Sequence, residues 1–178
     1  MDRFMQGLET AVKQLKVGDP LDDGTEMGPL ISADHRSRVA SYIEDEARVA
    51  IRGSAPSGAG YWFPPTVLGP VANSDRAARE EIFGPIAVVI PFDDENEAIR
   101  IANDTIYGLS GSIWTSSAAR AMRVARGLET GTISINSNTS VRVTTPFGGF
   151  KQSGVGRELG PDALEHYTEL KNVFLSTG

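Results

Sequence analysis

Two neighbouring glutamates and a phenylalanine form the first group of residues that could take part in chemistry. They lie in Glu80–Pro85 (EEIFGP), directly before the apolar run Ile86–Ile90. A carboxylate accepts hydrogen bonds from a sugar diol, and an aromatic ring can flank a planar heterocycle, so the segment fits the rim of a small-ligand pocket. The same residues also describe a turn before a buried strand, with Gly84 as turn punctuation and Phe83 in the core. Taken by itself, the segment favours the turn.

A glycine-rich segment, Thr145–Gly160 (TPFGGFKQSGVGRELG), is the second group. Its glycines do not have the spacing of a phosphate-binding loop, neither Gly-x4-Gly-Lys-Ser/Thr nor Gly-x-Gly-x-x-Gly after a strand. We therefore predict that they allow close backbone approach and positive φ angles in a tight loop.

Asn136 directly follows the predicted strand Thr132–Ile135. Residues at the carboxyl ends of parallel strands face a ligand crevice, which would place Asn136 near a site. An Asx turn that closes the strand explains the residue equally well. The two histidines, His35 and His166, lack an acidic partner at metal-ligand spacing, so no zinc site is predicted.

The composition excludes several classes of function. The net charge is −6 and the pI about 4.9, which argues against nucleic acid as a partner. No apolar run approaches the ~20 residues that span a bilayer, and the first residues lack the order of a signal peptide, so we expect a cytoplasmic protein that is not bound to a membrane. The chain has no cysteine, which excludes disulfides and thiolate catalysis by its own residues.

Hydrophobic spacing and capping signals predict the elements that must position these groups. A first helix ends near Lys16. A second begins at Ser32 or Asp34, and a third follows the Asp94/Glu97 capping box. The remaining predicted helices are one that begins at Ser116 or Ser117 and runs to Leu128, and one over 156–167, with loops at 18–30 and 53–65. One apolar face of the second helix is predicted to contain Val39, Tyr42, Ile43, Ala47 and Ala50.

The predicted strands are 49–51, 66–68, 86–90, 109–114, 132–135 and 169–175. Their alternation with helices in the second half indicates an α/β fold, an open parallel sheet with flanking helices. The continuous run 86–90 is typical of a strand covered on both faces. The last strand has no crossover helix, so we expect an edge strand available for pairing with another chain.

Several segments in order along the chain resemble the C-terminal part of aldehyde dehydrogenases. Besides the two groups above, the resemblance rests on four motifs: Glu26–Leu30 (EMGPL), Gly60–Thr66 (GYWFPPT), Asn103–Leu109 (NDTIYGL) and Thr168–Lys171 (TELK). It implies a partial catalytic domain over residues 1–167 and an oligomerisation strand over 168–178. The cofactor domain and the catalytic cysteine of the family are expected outside this chain.

The resemblance also implies roles for individual residues. Glu81 would hold the nicotinamide ribose hydroxyls of NAD or NADP, and Phe83 would pack near the nicotinamide ring. Asn136, Val141 and Phe147 would line the aldehyde channel. In the family a cysteine thiolate attacks the aldehyde, hydride passes to the nicotinamide, and a glutamate activates water to release the acid. None of these catalytic groups is expected here, so the chain alone is predicted to be inactive.

Three hypotheses follow. The chain is the C-terminal piece of an NAD(P)-dependent aldehyde dehydrogenase whose activity belongs to a longer gene product or an assembled complex, with residues 168–176 joining identical subunits. It is a non-catalytic binding or assembly module derived from that family, which uses residues 168–176 to pair with itself or with full-length subunits. Or it is an unrelated α/β binding domain whose glycine loop mimics the family.

Overall fold

The computed structural model of the protein describes residues 1–43, 45–139 and 141–178, and for Ala47 it describes the backbone only. The chain divides into two compact units, Met1–Phe92 and Asp93–Gly178.

The described residues of the first unit form three α-helices, a short 3₁₀ helix (Glu46–Arg48) and a three-stranded sheet. Its helices are α1 (Asp2–Gln14), α2 (Ala33–Ala40) and the single turn α3 (Arg76–Arg79). Its strands are β1 (Val49–Arg52), β2 (Thr66–Leu68) and β3 (Ile86–Val88), in the order β1-β2-β3. β1 pairs with β2 antiparallel, and β2 pairs with β3 parallel.

The second unit contains a parallel strand pair connected by a helix. Its helices are α4 (Glu95–Asn103) and α5 (Ala118–Gly127), followed by a 3₁₀ helix at Pro161–Tyr167. Its strands are β4 (Tyr107–Gly108), β5 (Ser110–Ile113), β6 (Thr132–Ile135) and β7 (Phe150–Lys151). β5 and β6 run parallel in the register Ser110–Thr132 to Ile113–Ile135, with α5 as the crossover, and β4 pairs antiparallel with β7.

Local capping chemistry explains where three helices begin. Ser32 Oγ accepts a hydrogen bond from the His35 backbone N–H at the start of α2. Asp94 does the same for Glu97 in α4, and Ser117 for Arg120 in α5. Each side chain satisfies a backbone donor that the helix leaves free. The predicted start at Asp94 is confirmed, and of the paired alternatives the caps are Ser32 rather than Asp34 and Ser117 rather than Ser116.

The main buried cluster lies in the first unit. Val39, Tyr42, Phe63 and Ile82 are buried together, and Leu30, Ile43, Ala77 and Ile86 pack against them. α2 and the segment before β3 therefore meet in one core, which fixes the Glu80–Pro85 turn to the helix.

The predicted α/β class is confirmed, but several details of the prediction are wrong. The strands form three separate sheets in the described residues rather than one. β3 is an edge strand and Ala87 is exposed, so this strand is not covered on both faces. α2 ends at Ala40, and Ala50 lies exposed on β1; the side chain of Ala47 lies outside the described part.

The predicted helix 156–167 is also wrong over its first turn. Gly156, Leu159 and Gly160 have positive φ angles of 89°, 60° and 62°, which an α-helix cannot contain, and Pro161 brings no N–H donor. Only the 3₁₀ turn after Gly160 remains.

Residues 168–178 form no strand in the described structure. A strand exists only through hydrogen bonds to a neighbour, and none is present for this segment in the single chain. The predicted boundary between residues 167 and 168 and the pairing of this segment with another subunit stay predictions.

No helix among the described residues is long and apolar enough to cross a membrane. Those residues also contain no group of three or more metal-ligating side chains. The cytoplasmic location stays a prediction.

Candidate functional site

Three alternate residues of the Glu80–Pro85 turn, Glu80, Ile82 and Gly84, are in contact with α2 or with residues just after it. Ile82 is buried in the core cluster. A Cβ on Gly84 would lie 2.6 Å from Val39 Cγ2, so only glycine lets this backbone approach α2 so closely. Glu80 Oε2 accepts hydrogen bonds from the Tyr42 hydroxyl at 2.9 Å and from Arg76 Nε at 3.1 Å.

The charge on Glu80 is stabilised by these partners. The hydrogen bond from Tyr42 and then that from Arg76 lower the pKa of the Glu80 carboxyl below its usual range. The Arg76 guanidinium carbon lies 4.1 Å from the centroid of the Tyr42 ring, which adds a cation–π contact. Glu80 is thus a structural carboxylate, and the two adjacent glutamates have different environments.

The other two residues of interest, Glu81 and Phe83, accept hydrogen bonds through their backbone carbonyls. Arg38 donates to the Ile82 carbonyl at 2.6 Å and to the Glu81 carbonyl at 3.3 Å. The His35 Nε2 atom lies 2.7 Å from the Phe83 carbonyl oxygen. Both side chains are exposed, Phe83 by 73 %, and the Glu81 carboxylate makes no hydrogen bond among the described residues.

The prediction that Phe83 lies in the core is therefore wrong. Ile82 takes the core position, and the side chains on either side of it, Glu81 and Phe83, are exposed. The turn presents one carboxylate and one aromatic ring on a fixed backbone, which suits a ligand that combines hydroxyl donors with a planar face.

In the second unit, Asn136 connects the ends of two parallel strands. Its Oδ1 accepts from the Thr115 N–H and its Nδ2 donates to the Thr115 carbonyl, both at 2.9 Å. Asn136 has φ 52°, a left-handed conformation that asparagine adopts more readily than most residues. The amide joins the segment after β6 to the segment after β5, which favours the structural interpretation over direct contact with a ligand.

Phe147 lines a cleft of about 730 Å³ in the second unit. Its backbone exchanges two hydrogen bonds of 2.7 Å with Glu158, which fold the glycine segment back on itself. The cleft is lined by residues 147–149 and 153–159 of the glycine segment, together with Leu109, Ala163, His166 and Tyr167. Val141 is 52 % exposed, and neither it nor Asn136 lines this cleft.

The glycine segment has the predicted tight geometry. Gly149 is buried, and a Cβ there would lie 2.5 Å from Ser153 Cβ. Gly154 and Gly156 have positive φ angles. Arg157 Nη1 donates to the carbonyls of Gly149 at 3.0 Å and Gly156 at 2.7 Å, which closes the loop from inside.

Sequence reasoning missed the residues on and just after α2 that support the turn. They are His35, Arg38, Val39 and Tyr42. Their spacing of i, i+3, i+4 and i+7 is that of one helix face, and this signal was available in the sequence. The predicted apolar face contains Val39 and Tyr42 but neither the histidine nor the arginine.

Comparison with known proteins agrees with the fold and the sequence motifs. The model of the aldehyde dehydrogenase family matches residues 1–173. The chain therefore belongs to the aldehyde dehydrogenase family.

Individual relatives are similar over nearly the whole chain. A betaine aldehyde dehydrogenase of Agrobacterium fabrum is 46 % identical over 99 % of this chain and 37 % of its own length. A geranial dehydrogenase of Castellaniella defragrans is 44 % identical over 98 % of this chain, again 37 % of its own length. The chain thus spans little more than a third of these relatives.

Solved structures show the same relation. The betaine aldehyde dehydrogenase of Staphylococcus aureus, crystallised as a point mutant with NAD⁺ and a modified cysteine, has a TM-score of 0.86 at 42 % identity, covering 93 % of this chain and 35 % of that one. An aldehyde dehydrogenase mutant from Bacillus cereus has a TM-score of 0.90 at 40 % identity, covering 98 % and 36 %.

Proposed function

We propose that this chain is the C-terminal portion of an NAD(P)-dependent aldehyde dehydrogenase that oxidises an aldehyde to a carboxylic acid. In this proposal the cysteine nucleophile and the cofactor domain lie outside the 178 residues. The observation that carries the proposal is the turn at Glu80–Pro85, which exposes Glu81 and Phe83 while Arg38 and His35 hold its backbone.

The residues present fit a nicotinamide nucleotide. An exposed carboxylate with no partner in the described structure can accept hydrogen bonds from the two hydroxyls of a ribose. A ring that is 73 % exposed offers a flat apolar surface for a heterocycle. When bound, the cofactor would supply the hydride acceptor. Glu81 would orient its ribose and Phe83 would limit the position of its ring.

The second unit would contribute to the aldehyde channel. Phe147 is half-buried at the cleft and offers an aromatic surface. Val141 is exposed and apolar. Asn136 would act indirectly, since both groups of its amide are bonded to Thr115. The betaine aldehyde dehydrogenases among the relatives make betaine aldehyde the first substrate to test.

The experiment uses a hybrid enzyme, in which this chain replaces the matching segment of the Agrobacterium fabrum relative. We expect NAD⁺-dependent oxidation of betaine aldehyde by the hybrid and none by the 178-residue chain alone. Glu81→Gln and Phe83→Ala should each raise KM for NAD⁺ about tenfold, the loss of one polar or aromatic contact. Glu46→Gln and Phe92→Ala, which also alter exposed residues, serve as matched controls.

A folded hybrid without activity, or turnover by the chain alone, would contradict the proposal. So would equal KM values for NAD⁺ in Phe83→Ala, Glu81→Gln and the two control variants.

Residues 168–176 are proposed to join identical subunits. The segment exposes the apolar side chains of Leu170, Val173, Phe174 and Leu175, and its backbone has no strand partner. An added strand would cover both the apolar side chains and the backbone groups. Deleting residues 168–178 should lower the solution mass of the chain to that of a monomer, and an unchanged mass would count against this role.

A further inference from the structure

Phe83 has a backbone conformation that phenylalanine rarely adopts. Its φ is 53°, in the left-handed region, where the Cβ of a bulky residue is crowded by the backbone. Its ring is largely exposed, so burial of the ring does not explain the conformation. Another contact must stabilise it, because such a conformation persists only where its surroundings enforce it.

His35 makes that contact. Its Nε2 lies 2.7 Å from the Phe83 carbonyl oxygen, and because a carbonyl only accepts, Nε2 must carry the proton. The Nδ1 atom is buried and has no hydrogen-bond partner in the described structure. A proton there would be unsatisfied, so the arrangement selects the neutral Nε2–H tautomer.

The start of α2 sets the position of the imidazole. Ser32 Oγ accepts from the His35 N–H at 3.1 Å, which fixes the backbone of His35 in the first turn. The two rings lie 6.1 Å apart between centroids and are inclined by 39°. One side of the Phe83 ring is therefore near His35, while most of its surface stays free.

We propose that His35 is a positioning residue for Phe83: its Nε2–H holds the Phe83 carbonyl and so keeps the ring where it can face a nicotinamide. This inference rests on the proposed cofactor role of Phe83. It adds a residue of α2 that touches neither cofactor nor substrate but determines how the cofactor-facing ring is presented.

The first test uses the 178-residue chain without any ligand. The chain has only two histidines, so ¹⁵N labelling of histidine gives a simple spectrum, and His166→Gln assigns it. We expect the Nε2 of His35 to have the chemical shift of a protonated ring nitrogen and Nδ1 that of an unprotonated one. The opposite tautomer would overturn the proposal, whatever the function of the chain.

The second test uses the hybrid enzyme with two replacements of His35. His35→Gln keeps an N–H donor at nearly the same reach, and His35→Leu fills similar space without a donor. Losing one hydrogen bond should raise both KM for NAD⁺ and Kd for NADH, measured by NADH fluorescence, about fivefold in His35→Leu. The kcat should change less than about twofold, and His35→Gln should recover most of the affinity.

The double variant His35→Leu/Phe83→Ala separates the possible outcomes. If His35 acts through Phe83, the double variant binds NADH no more weakly than Phe83→Ala alone. If Phe83→Ala weakens binding and His35→Leu does not, the role of His35 is refuted and the proposed function stands. If Phe83→Ala itself has no effect, the proposed function fails, and the cofactor role of His35 fails with it. Unfolding curves of His35→Leu and Phe83→Ala check that the first unit stays folded in each.

Discussion

The Glu80–Pro85 turn and the glycine segment at 145–160 solve the same structural problem in different ways. Both hold an irregular backbone in a fixed shape. The turn is held from outside by side chains on and just after α2, Arg38, His35 and Tyr42. The glycine segment is held from within, by the Phe147–Glu158 backbone pair and by Arg157.

The two kinds of support leave different groups available to a ligand. External support leaves Glu81 and Phe83 free to contact a ligand through their side chains. In the glycine segment, the support comes from the segment's own backbone and from Arg157, and there is no room for a larger side chain at Gly149. Substitutions in the glycine segment should therefore affect stability most, whereas those in the turn should affect binding most.

The largest effect is expected for Gly149→Ala. A methyl group there would lie 2.5 Å from Ser153 Cβ and 2.7 Å from the Ser153 carbonyl carbon, so the backbone must move. The free energy of unfolding should fall by about 2 to 3 kcal/mol in urea titrations. Gly7→Ala in α1 is the matched control: nothing lies within 4 Å of its Cβ, and it should stabilise by up to about 1 kcal/mol. Equal stability of Gly149→Ala and wild type would contradict the internal-support view.

Arg157→Met should have the next largest effect. It removes the donor shared by the Gly149 and Gly156 carbonyls and the contact of the guanidinium with the Phe150 ring at 5.3 Å. We expect a loss of about 2 kcal/mol, because the carbonyls lose a charged partner. Thermal unfolding followed by circular dichroism measures it, and a loss below about 0.5 kcal/mol would show that the backbone pair suffices.

Arg38→Met should cost less, about 1 kcal/mol, because Arg38 is exposed and water can replace part of its hydrogen bonding. Hydrogen exchange of the amides in residues 80–84 should nevertheless accelerate clearly. Arg38→Lys keeps the charge but cannot donate from two nitrogens to the Glu81 and Ile82 carbonyls, so it should resemble the methionine variant. Wild-type exchange in both variants would show that Arg38 does not hold the turn.

Glu80→Gln should have the smallest effect, and one that depends on pH. The pKa of Glu80 is lowered in the folded chain, first by the Tyr42 hydroxyl and then by Arg76. Its contribution to stability is therefore fully present above the ordinary glutamate pKa of about 4.3 and is lost as pH falls through the lower folded value. The Tm difference between wild type and Glu80→Gln should shrink as pH falls below about 4.3. A difference that grows under acid would contradict the pairing.

Features that depend on residues close together in the chain could be predicted from the amino-acid sequence. The helix start at Asp94 follows from a side chain that bonds to the backbone three residues ahead, and the other two capped starts are each narrowed to two neighbouring candidates, of which the structure has Ser32 and Ser117. The α/β class follows from alternating periodicities, and the tight geometry of the glycine segment follows from its composition. The ordered motifs were sufficient to predict the aldehyde dehydrogenase family.

Which residues of the Glu80–Pro85 turn reach solvent could not be predicted in this way, because it depends on contacts with distant segments. Ile82 and Phe83 are both apolar, so the sequence does not indicate which of them is buried. In the structure Ile82 is buried, and Gly84 packs closely against Val39. The support from His35 and Arg38 spans more than forty residues of sequence, so no local pattern reveals its partners. Helix and strand signals arise from contacts a few residues apart, whereas the choice of exposed side chains is made by packing between distant segments.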